Sequence, residues 1–251
     1  MMTTMGCMRA YLSRVIFAGL LGGIALGGAT FLGVSLAFAG ETTSPITSET
    51  SATEDTGPNA TYDETQPGAD DPRVKEGFAA YKAGDFKQAY NIWLPLAEAG
   101  NAEAQFRVGR LYDFEEIEDV DINAAISWYK YAAAQRHIGA IYNLGLFFDY
   151  DKRIPRNIEN ARAYYQDGAN LCDGASQYRL GALILRMPRA DRDNTEGHKW
   201  LEIAVVFGQE RAGKASKKLV GLISTPIEYE AGKKKAQEWL QNHPCGKTKK
   251  Y

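Results

Sequence analysis

Apolar and polar positions repeat along this chain with a spacing of 36 residues, as the glycines Gly109, Gly145 and Gly181 show. Around each glycine the apolar residues recur at intervals of three and four, which is the pattern of an amphipathic helix. The stretch AEAQFRVGRLY at 102–112 therefore predicts a helix, and IGAIYNLGLFF and GASQYRLGALI are its second and third copies. Such a period predicts a protein built from stacked helical repeats.

Each copy continues into a second helix with repeated positions of its own. An interior glycine costs a helix about 1 kcal/mol relative to alanine. We expect a large aromatic side chain of the second helix to offset this loss by packing into the space beside each first-helix glycine. The small position of the second helices is Ala125, Ala161 and Gly197, and their predicted N-caps are Asp121, Asn157 and Asp193. Two adjacent positions hold large side chains: Trp128, Tyr164 and Trp200, and then Tyr129, Tyr165 and Leu201.

Two further units flank these three copies. Upstream, residues 77–100 follow the same plan with Gly77 and Trp93, and downstream a last pair of helices includes a capping box at Thr225 and Glu228. The fold class predicted is all-α, a right-handed α-solenoid of about five antiparallel helical hairpins. The solenoid is predicted over 73–243, with units near 73–100, 101–136, 137–172, 173–208 and 209–243.

These repeated positions resemble the Sel-one-like repeat (SLR) family, which is related to the tetratricopeptide repeats. AEAQFRVG, SWYKYAAAQ and HKWLEIAV match its pattern, and the 36-residue spacing fits it better than the 34-residue tetratricopeptide period. The loops DFEEIEDVD, DYDKRIPRN and LRMPRADRD depart from the family because they lack its usual glycines. The resemblance implies a non-enzymatic adaptor for protein complexes. Exported bacterial members with a similar layout include regulators of envelope sensor kinases and scaffolds of polysaccharide secretion.

The resemblance also implies an alternative function from another class. Some cysteine-rich SLR proteins are reported to bind penicillins, which makes a cell-wall-active or penicillin-binding enzyme the second hypothesis. The paired cysteines of those proteins are absent from this chain, and no catalytic pair replaces them. The adaptor is therefore the favoured function.

The N-terminus predicts export. Arg9 and Arg14 precede an uncharged run at 15–36, and Ala37-Phe38-Ala39 follows it, which together describe a signal peptide at 1–39 cleaved after Ala39. The alternative is an uncleaved anchor, because the run is long enough to cross a bilayer at about 20 residues. We therefore expect a periplasmic or secreted protein, or else one anchored in the inner membrane by this segment and working close to the membrane.

Charge is unevenly distributed over the rest of the chain. Residues 40–72 hold eight carboxylates, no basic residue and almost no large apolar side chain, which predicts a disordered acidic linker. Residues 211–251 hold ten Lys and Arg against three acidic residues, and 244–251 form a basic tail. The formal net charge of the whole chain is −2, so an exported protein of this composition is not expected to bind nucleic acid.

Few residues point to chemistry. His137, His198 and His243 lie far apart in sequence, and we expect them at helix ends or on the surface rather than at a metal. The loop 113–121 holds six carboxylates; a solvated acidic loop is favoured over a calcium site, because the loop lacks the glycine of an EF-hand. No catalytic residue, metal or cofactor is predicted. Whether Cys172 and Cys245 pair is left open, because sequence alone does not place them within reach.

The best candidate site is a surface on the first helices. If Val108 and Gly109 define the buried side of the first copy, Phe106 and Arg110 project to the opposite side. First helices of such hairpins line the concave face, where aromatic and arginine side chains suit the binding of a protein partner of the cell envelope. The alternative is that these aromatic residues pack between adjacent repeats. The predicted protein-binding residues are Phe106, Arg107, Arg110, Tyr142, Asn143, Tyr178 and Arg179.

Overall fold

The structure is a computed structural model that describes residues 63–114, 116 and 121–247. The signal peptide predicted at 1–39, the linker before residue 63, most of the acidic loop and residues 248–251 of the basic tail lie outside this part of the chain. Within it, the secondary structure is helical, which confirms the all-α fold class. The helices are α1 (Pro72–Lys82), α2 (Phe86–Glu98), α3 (Ala102–Asp113), α4 (Ile122–Ala134), α5 (Ile138–Tyr150), α6 (Ile158–Asn170), α7 (Gly174–Arg186), α8 (Asn194–Val206), α9 (Glu210–Leu219), α10 (Pro226–Asn242) and α11 (Pro244–Lys247).

Consecutive helices pack against each other from α1 to α9. Four pairs form antiparallel hairpins in the units predicted from the sequence, and the second helix of each unit also contacts the first helix of the next. Helices stacked in this way bury a continuous core that no single hairpin could bury alone. The predicted α-solenoid is therefore confirmed.

The glycines of the first helices lie where the second helices approach most closely. A Cβ atom at Gly109 would lie 2.9 Å from Cδ1 of Tyr129, and one at Gly181 would lie 2.9 Å from Cγ of Leu201. Gly145 faces the buried ring of Tyr165 at a still shorter distance. The predicted packing of an aromatic side chain is confirmed at Gly109 and Gly145 but is wrong at Gly181, where Leu201 takes that place. In each case the buried side chain offsets the cost of glycine within a helix.

The predicted caps begin the second helices. Asp121, Asn157 and Asp193 each accept a hydrogen bond from a backbone N–H in the first turn of α4, α6 and α8. Thr225 and Glu228 form the predicted capping box at the start of α10. These short-range interactions fix where each hairpin turns, because the first backbone N–H groups of a helix need a partner outside it.

The C-terminal end departs from the regular stacking. The last long helix, α10, packs along α8, and a Cβ atom at Gly232 would lie 2.6 Å from Cβ of His198. A disulfide joins Cys172, after α6, to Cys245 in α11. The predicted basic tail therefore begins as a short helix with a buried cysteine rather than as a free tail.

The segment before α1 is also held against the repeats. Ala69 is fully buried, the backbone N–H of Glu103 donates to the carbonyl of Pro67 at 3.0 Å, and the N–H of Ile138 donates to Oε1 of Gln66 at 2.9 Å. The prediction of a disordered linker is therefore wrong for residues 63–71, because this segment satisfies backbone groups at the N-termini of α3 and α5. In the part of the chain that the structure describes, no helix has the length and apolar character needed to cross a membrane.

Candidate functional site: an arginine–aromatic face

The predicted aromatic ladder lies inside the protein at two of its three positions. Phe106 is 1% exposed and stacks on the ring of His137, with ring centroids 4.4 Å apart. Tyr142 is fully buried, and its hydroxyl accepts a hydrogen bond from Nε of Arg179 at 3.2 Å. Both contacts reach the next repeat. The expectation of an exposed ladder is therefore wrong for Phe106 and Tyr142, and the alternative of packing between adjacent repeats describes them.

Arg107 and Asn143 are buried as well, so the expectation that they face a ligand is wrong. Nε of Arg107 donates to Glu103 at 2.6 Å, and the other oxygen of Glu103 lies 2.7 Å from Nε2 of His137. Burial raises the pKa of Glu103, but the hydrogen bond to His137 and the charge of Arg107 outweigh it and bring the pKa below its usual value. The contact between Glu103 and His137 links two repeats in the core.

The remaining predicted residues stay partly accessible. Arg110, Tyr178 and Arg179 are half-buried, and the guanidinium of Arg211 lies 4.8 Å from the ring centre of Tyr178. Their role in binding a protein remains a prediction.

Two exposed aromatic side chains lie one helical turn beyond Arg110 and its equivalent. Phe114 is 54% exposed and Tyr150 is 45% exposed, and they occupy equivalent positions 36 residues apart at the C-terminal ends of α3 and α5. Each lies beneath guanidinium groups: Arg110 is 5.1 Å from the ring centre of Phe114, while Arg179 and Arg186 are 5.4 and 4.8 Å from that of Tyr150. We call Arg110, Phe114, Tyr150, Arg179 and Arg186 the arginine–aromatic face.

Three members of this face were missed in the sequence, although a signal for them exists. Phe114, Tyr150 and Arg186 follow the same 36-residue spacing as the glycines, about two helical turns after the positions chosen for the ladder. Burial raises the pKa of the Tyr150 hydroxyl, and the charges of Arg186 and Arg179 act in the opposite direction. Tyr150 therefore stays a neutral donor and acceptor at the edge of the face.

The histidines and cysteines are placed differently from expectation. His137 caps α5 and His243 ends α10, as predicted, but the expectation that His198 lies at a helix end or on the surface is wrong, because it is fully buried within α8. Cys172, His243 and Cys245 each have one atom that could bind a metal, and these three atoms lie within 4.8 Å of one another. The two sulfurs form the disulfide, so they offer no thiolate to a metal in this state.

The described carboxylates of the acidic loop are engaged by the protein. Asp113 pairs with Arg153 at 2.7 Å, Glu116 accepts from the hydroxyl of Tyr81 at 2.8 Å, and Asp121 caps α4. Burial raises the pKa of Asp113, and the hydrogen bond from Arg153 opposes this.

The stacked hairpins and the buried contacts between them define a helical repeat protein of the α-solenoid class. Residues 102–137, 138–171 and 174–205 match the family model of the Sel1 repeat, one match for each regular unit. The chain therefore contains three Sel1 repeats, which confirms its resemblance to the SLR family. Repeats of this family generally mediate contacts between proteins.

Relatives of known identity share only part of their length with this chain. The ERAD-associated E3 ubiquitin-protein ligase components HRD3A and HRD3B of Arabidopsis thaliana are 27% identical over 109 residues and 28% identical over 78 residues. These matches cover 42% and 31% of this chain but only 16% and 13% of the relatives. A protective antigen of uropathogenic Escherichia coli strains, which displays an SLR fold, is 22% identical with a TM-score of 0.55, covering 67% of this chain and 38% of that one. That likeness shows the fold alone.

Proposed function

We propose that this protein is an exported, non-enzymatic adaptor of the cell envelope, a regulator or an assembly scaffold, that holds a segment of a partner protein on its arginine–aromatic face. The observation that carries the proposal is that Phe114 and Tyr150 are exposed at equivalent positions of consecutive repeats, each beneath an arginine. Aromatic and arginine side chains supply much of the binding energy at protein interfaces. Two such positions one repeat apart suit an extended segment that crosses neighbouring repeats.

Two features support export. The apolar run at 15–36, followed by Ala37-Phe38-Ala39, has the layout of a cleaved signal peptide. The disulfide between Cys172 and Cys245 is of a kind that persists in oxidising compartments. N-terminal sequencing of the mature chain isolated from cells is expected to begin at Gly40. If Arg14 is retained, the signal peptide is not cleaved and the protein is membrane-anchored instead.

The adaptor proposal is tested by crosslinking and pull-down from the cell envelope with the parent protein and with the double variant Phe114→Ser, Tyr150→Ser. Tyr131→Ser is the matched control, because Tyr131 is 58% exposed but lies on α4, a second helix. A partner that the parent and the control recover is expected to be lost by the double variant, which should unfold at the same denaturant concentration as the parent. Recovery of the same partner by the double variant would show that the face is not the binding site.

A further inference from the structure

At the C-terminal ends of α5 and α7, positively charged side chains outnumber negatively charged ones. Asp149, whose side chain is fully buried, accepts hydrogen bonds from Arg156 at 2.8 Å and from Arg186 at 2.7 Å. One carboxylate therefore pairs with two guanidinium groups. A carboxylate in this position neutralises one positive charge and leaves the other uncompensated.

A third guanidinium adds to this surplus. Arg179 lies seven residues before Arg186 on the same face of α7, and both lie over the ring of Tyr150. Nε of Arg179 donates to the hydroxyl of Tyr142, a neutral acceptor, and no carboxylate among the described residues forms an ion pair with Arg179. Two guanidinium groups therefore share the carboxylate of Asp149, and the third, that of Arg179, forms no ion pair with a described carboxylate.

This cluster is open to solvent on one side. The Arg156 side chain is 49% exposed and Tyr150 is 45% exposed, whereas Arg186 is held inside by Asp149. Guanidinium groups bind carboxylates through paired hydrogen bonds, and they do so more strongly where surrounding protein excludes water. An aromatic ring beside such a group offers an apolar surface for the neighbouring part of the ligand.

We propose that the cluster of Arg156, Arg179 and Arg186 beside Tyr150 binds the carboxylates of an acidic segment of the partner protein. This inference rests on the proposed function. Arg179 is the main contact, because its charge has no carboxylate to displace. Tyr150 and Phe114 then accommodate the apolar residues of the same segment, which distinguishes a peptide from a bare anion.

The test measures binding of three fluorescein-labelled peptides of equal length that alternate leucine with glutamate, glutamine or lysine. The full chain is compared with Arg179→Gln, in which glutamine can still donate to Tyr142, and with Arg162→Gln, which removes the same charge from an exposed position on α6. We expect the glutamate peptide to bind most tightly, with affinity falling as salt rises. Arg179→Gln should weaken it at least tenfold and Arg162→Gln should leave it unchanged.

Other outcomes overturn the inference in distinguishable ways. Equal binding of the glutamate and glutamine peptides would show that the cluster does not prefer acidic segments. The adaptor proposal would still be tested separately by the envelope pull-down. Binding by none of the three peptides would overturn the acidic segment as the ligand. If the glutamate peptide bound only to the variant Glu54→Gln, Asp55→Asn, the natural ligand of the cluster would be the chain's own acidic segment instead of a partner protein.

Discussion

The regular repeats and the C-terminal end of this protein are held together by different interactions. In the repeats from α3 to α8, a first-helix glycine lets Tyr129, Tyr165 or Leu201 pack against the neighbouring backbone. At the C-terminal end, Lys217 stands where the glycine spacing would continue, and a buried polar cluster and a disulfide are found instead. Here α10 packs along α8 instead of continuing the stack of hairpins, and more specific contacts hold this end in place.

The polar cluster is centred on His198. Its Nδ1 lies 2.8 Å from Oγ of Ser216 in α9, and its Nε2 lies 2.8 Å from Oγ of Ser224 in the turn before α10. All three residues are buried, and a buried polar group is stable only while it is hydrogen-bonded. The cluster therefore favours one arrangement of the last three long helices, where apolar packing alone would tolerate several.

The largest effect is expected from removing the disulfide. It closes a loop of 73 residues, and the chain-entropy estimate for a loop of that length is about 4 kcal/mol. Cys172→Ser with Cys245→Ser should lower the free energy of unfolding by about that amount in chemical denaturation without reductant. A parent protein treated with reductant should lose the same stability, and a loss below about 1 kcal/mol would contradict the role of the disulfide in holding the C-terminal end.

The backbone at Cys172 supplies a matched control. Cys172 has φ +68°, in the left-handed region that the corresponding Gly100 and Gly208 also adopt. Glycine enters this region without the steric cost that a Cβ atom brings, which is about 1 kcal/mol. Cys172→Gly should therefore be destabilised less than Cys172→Ser, although both lack the disulfide.

The regular part of the fold was predictable because its signals are local or periodic. Asp121 and Asn157 cap helices through contacts within a few residues, and Gly145 marks its packing partner through a fixed spacing. The C-terminal end was not predictable in this way. The contact of Gly232 with His198 and the bond between Cys172 and Cys245 join distant residues that no repeated spacing relates.

The candidate site was predictable only in part, for a related reason. Helical periodicity identifies the side of α3 that faces away from its own hairpin, but the next repeat packs on that side and buries Phe106. Which part of the side stays open depends on how tightly successive repeats stack. The structure leaves the last turn of α3 and α5 open, so Phe114 and Tyr150 are exposed while Phe106 and Tyr142 are buried.

A smaller effect is expected from filling one glycine position in the regular repeats. Gly145→Ala places a Cβ atom against the ring of Tyr165, which is fully buried and has little room to move. Overpacking of this kind costs about 1–3 kcal/mol, and the gain in helix propensity returns about 1 kcal/mol. A net loss of up to about 2 kcal/mol is therefore expected in the free energy of unfolding, measured by denaturant titration.

Gly213→Ala tests the same change at the C-terminal end. There a Cβ atom would lie 3.2 Å from Cγ2 of Val205, which is only half-buried. Its cost should be small, so the gain in helix propensity should bring stability to within about 0.5 kcal/mol of the parent. Equal losses at Gly145 and Gly213 would show that the two regions do not differ in how tightly they pack.

The smallest effect expected is a pH dependence specific to the C-terminal end. Burial lowers the pKa of His198, and the charge of Glu228 only partly opposes this; Tyr229 also faces the ring, with centroids 5.3 Å apart. The pKa of His198 is thus lower in the folded protein than in the unfolded chain, where it is about 6.5. As pH falls through that value, the unfolded state takes up a proton that the folded state does not, so stability decreases.

His198→Gln isolates this contribution, because glutamine can still form hydrogen bonds but does not titrate. The free energy of unfolding of the parent should fall between pH 8 and pH 5, and that of His198→Gln should fall less over the same range. Carboxylates contribute little to the difference, since both proteins share them and their usual pKa values lie below this window. Parallel curves for the two proteins would mean that His198 titrates normally in the folded state, so its burial would not govern how the C-terminal end responds to acid.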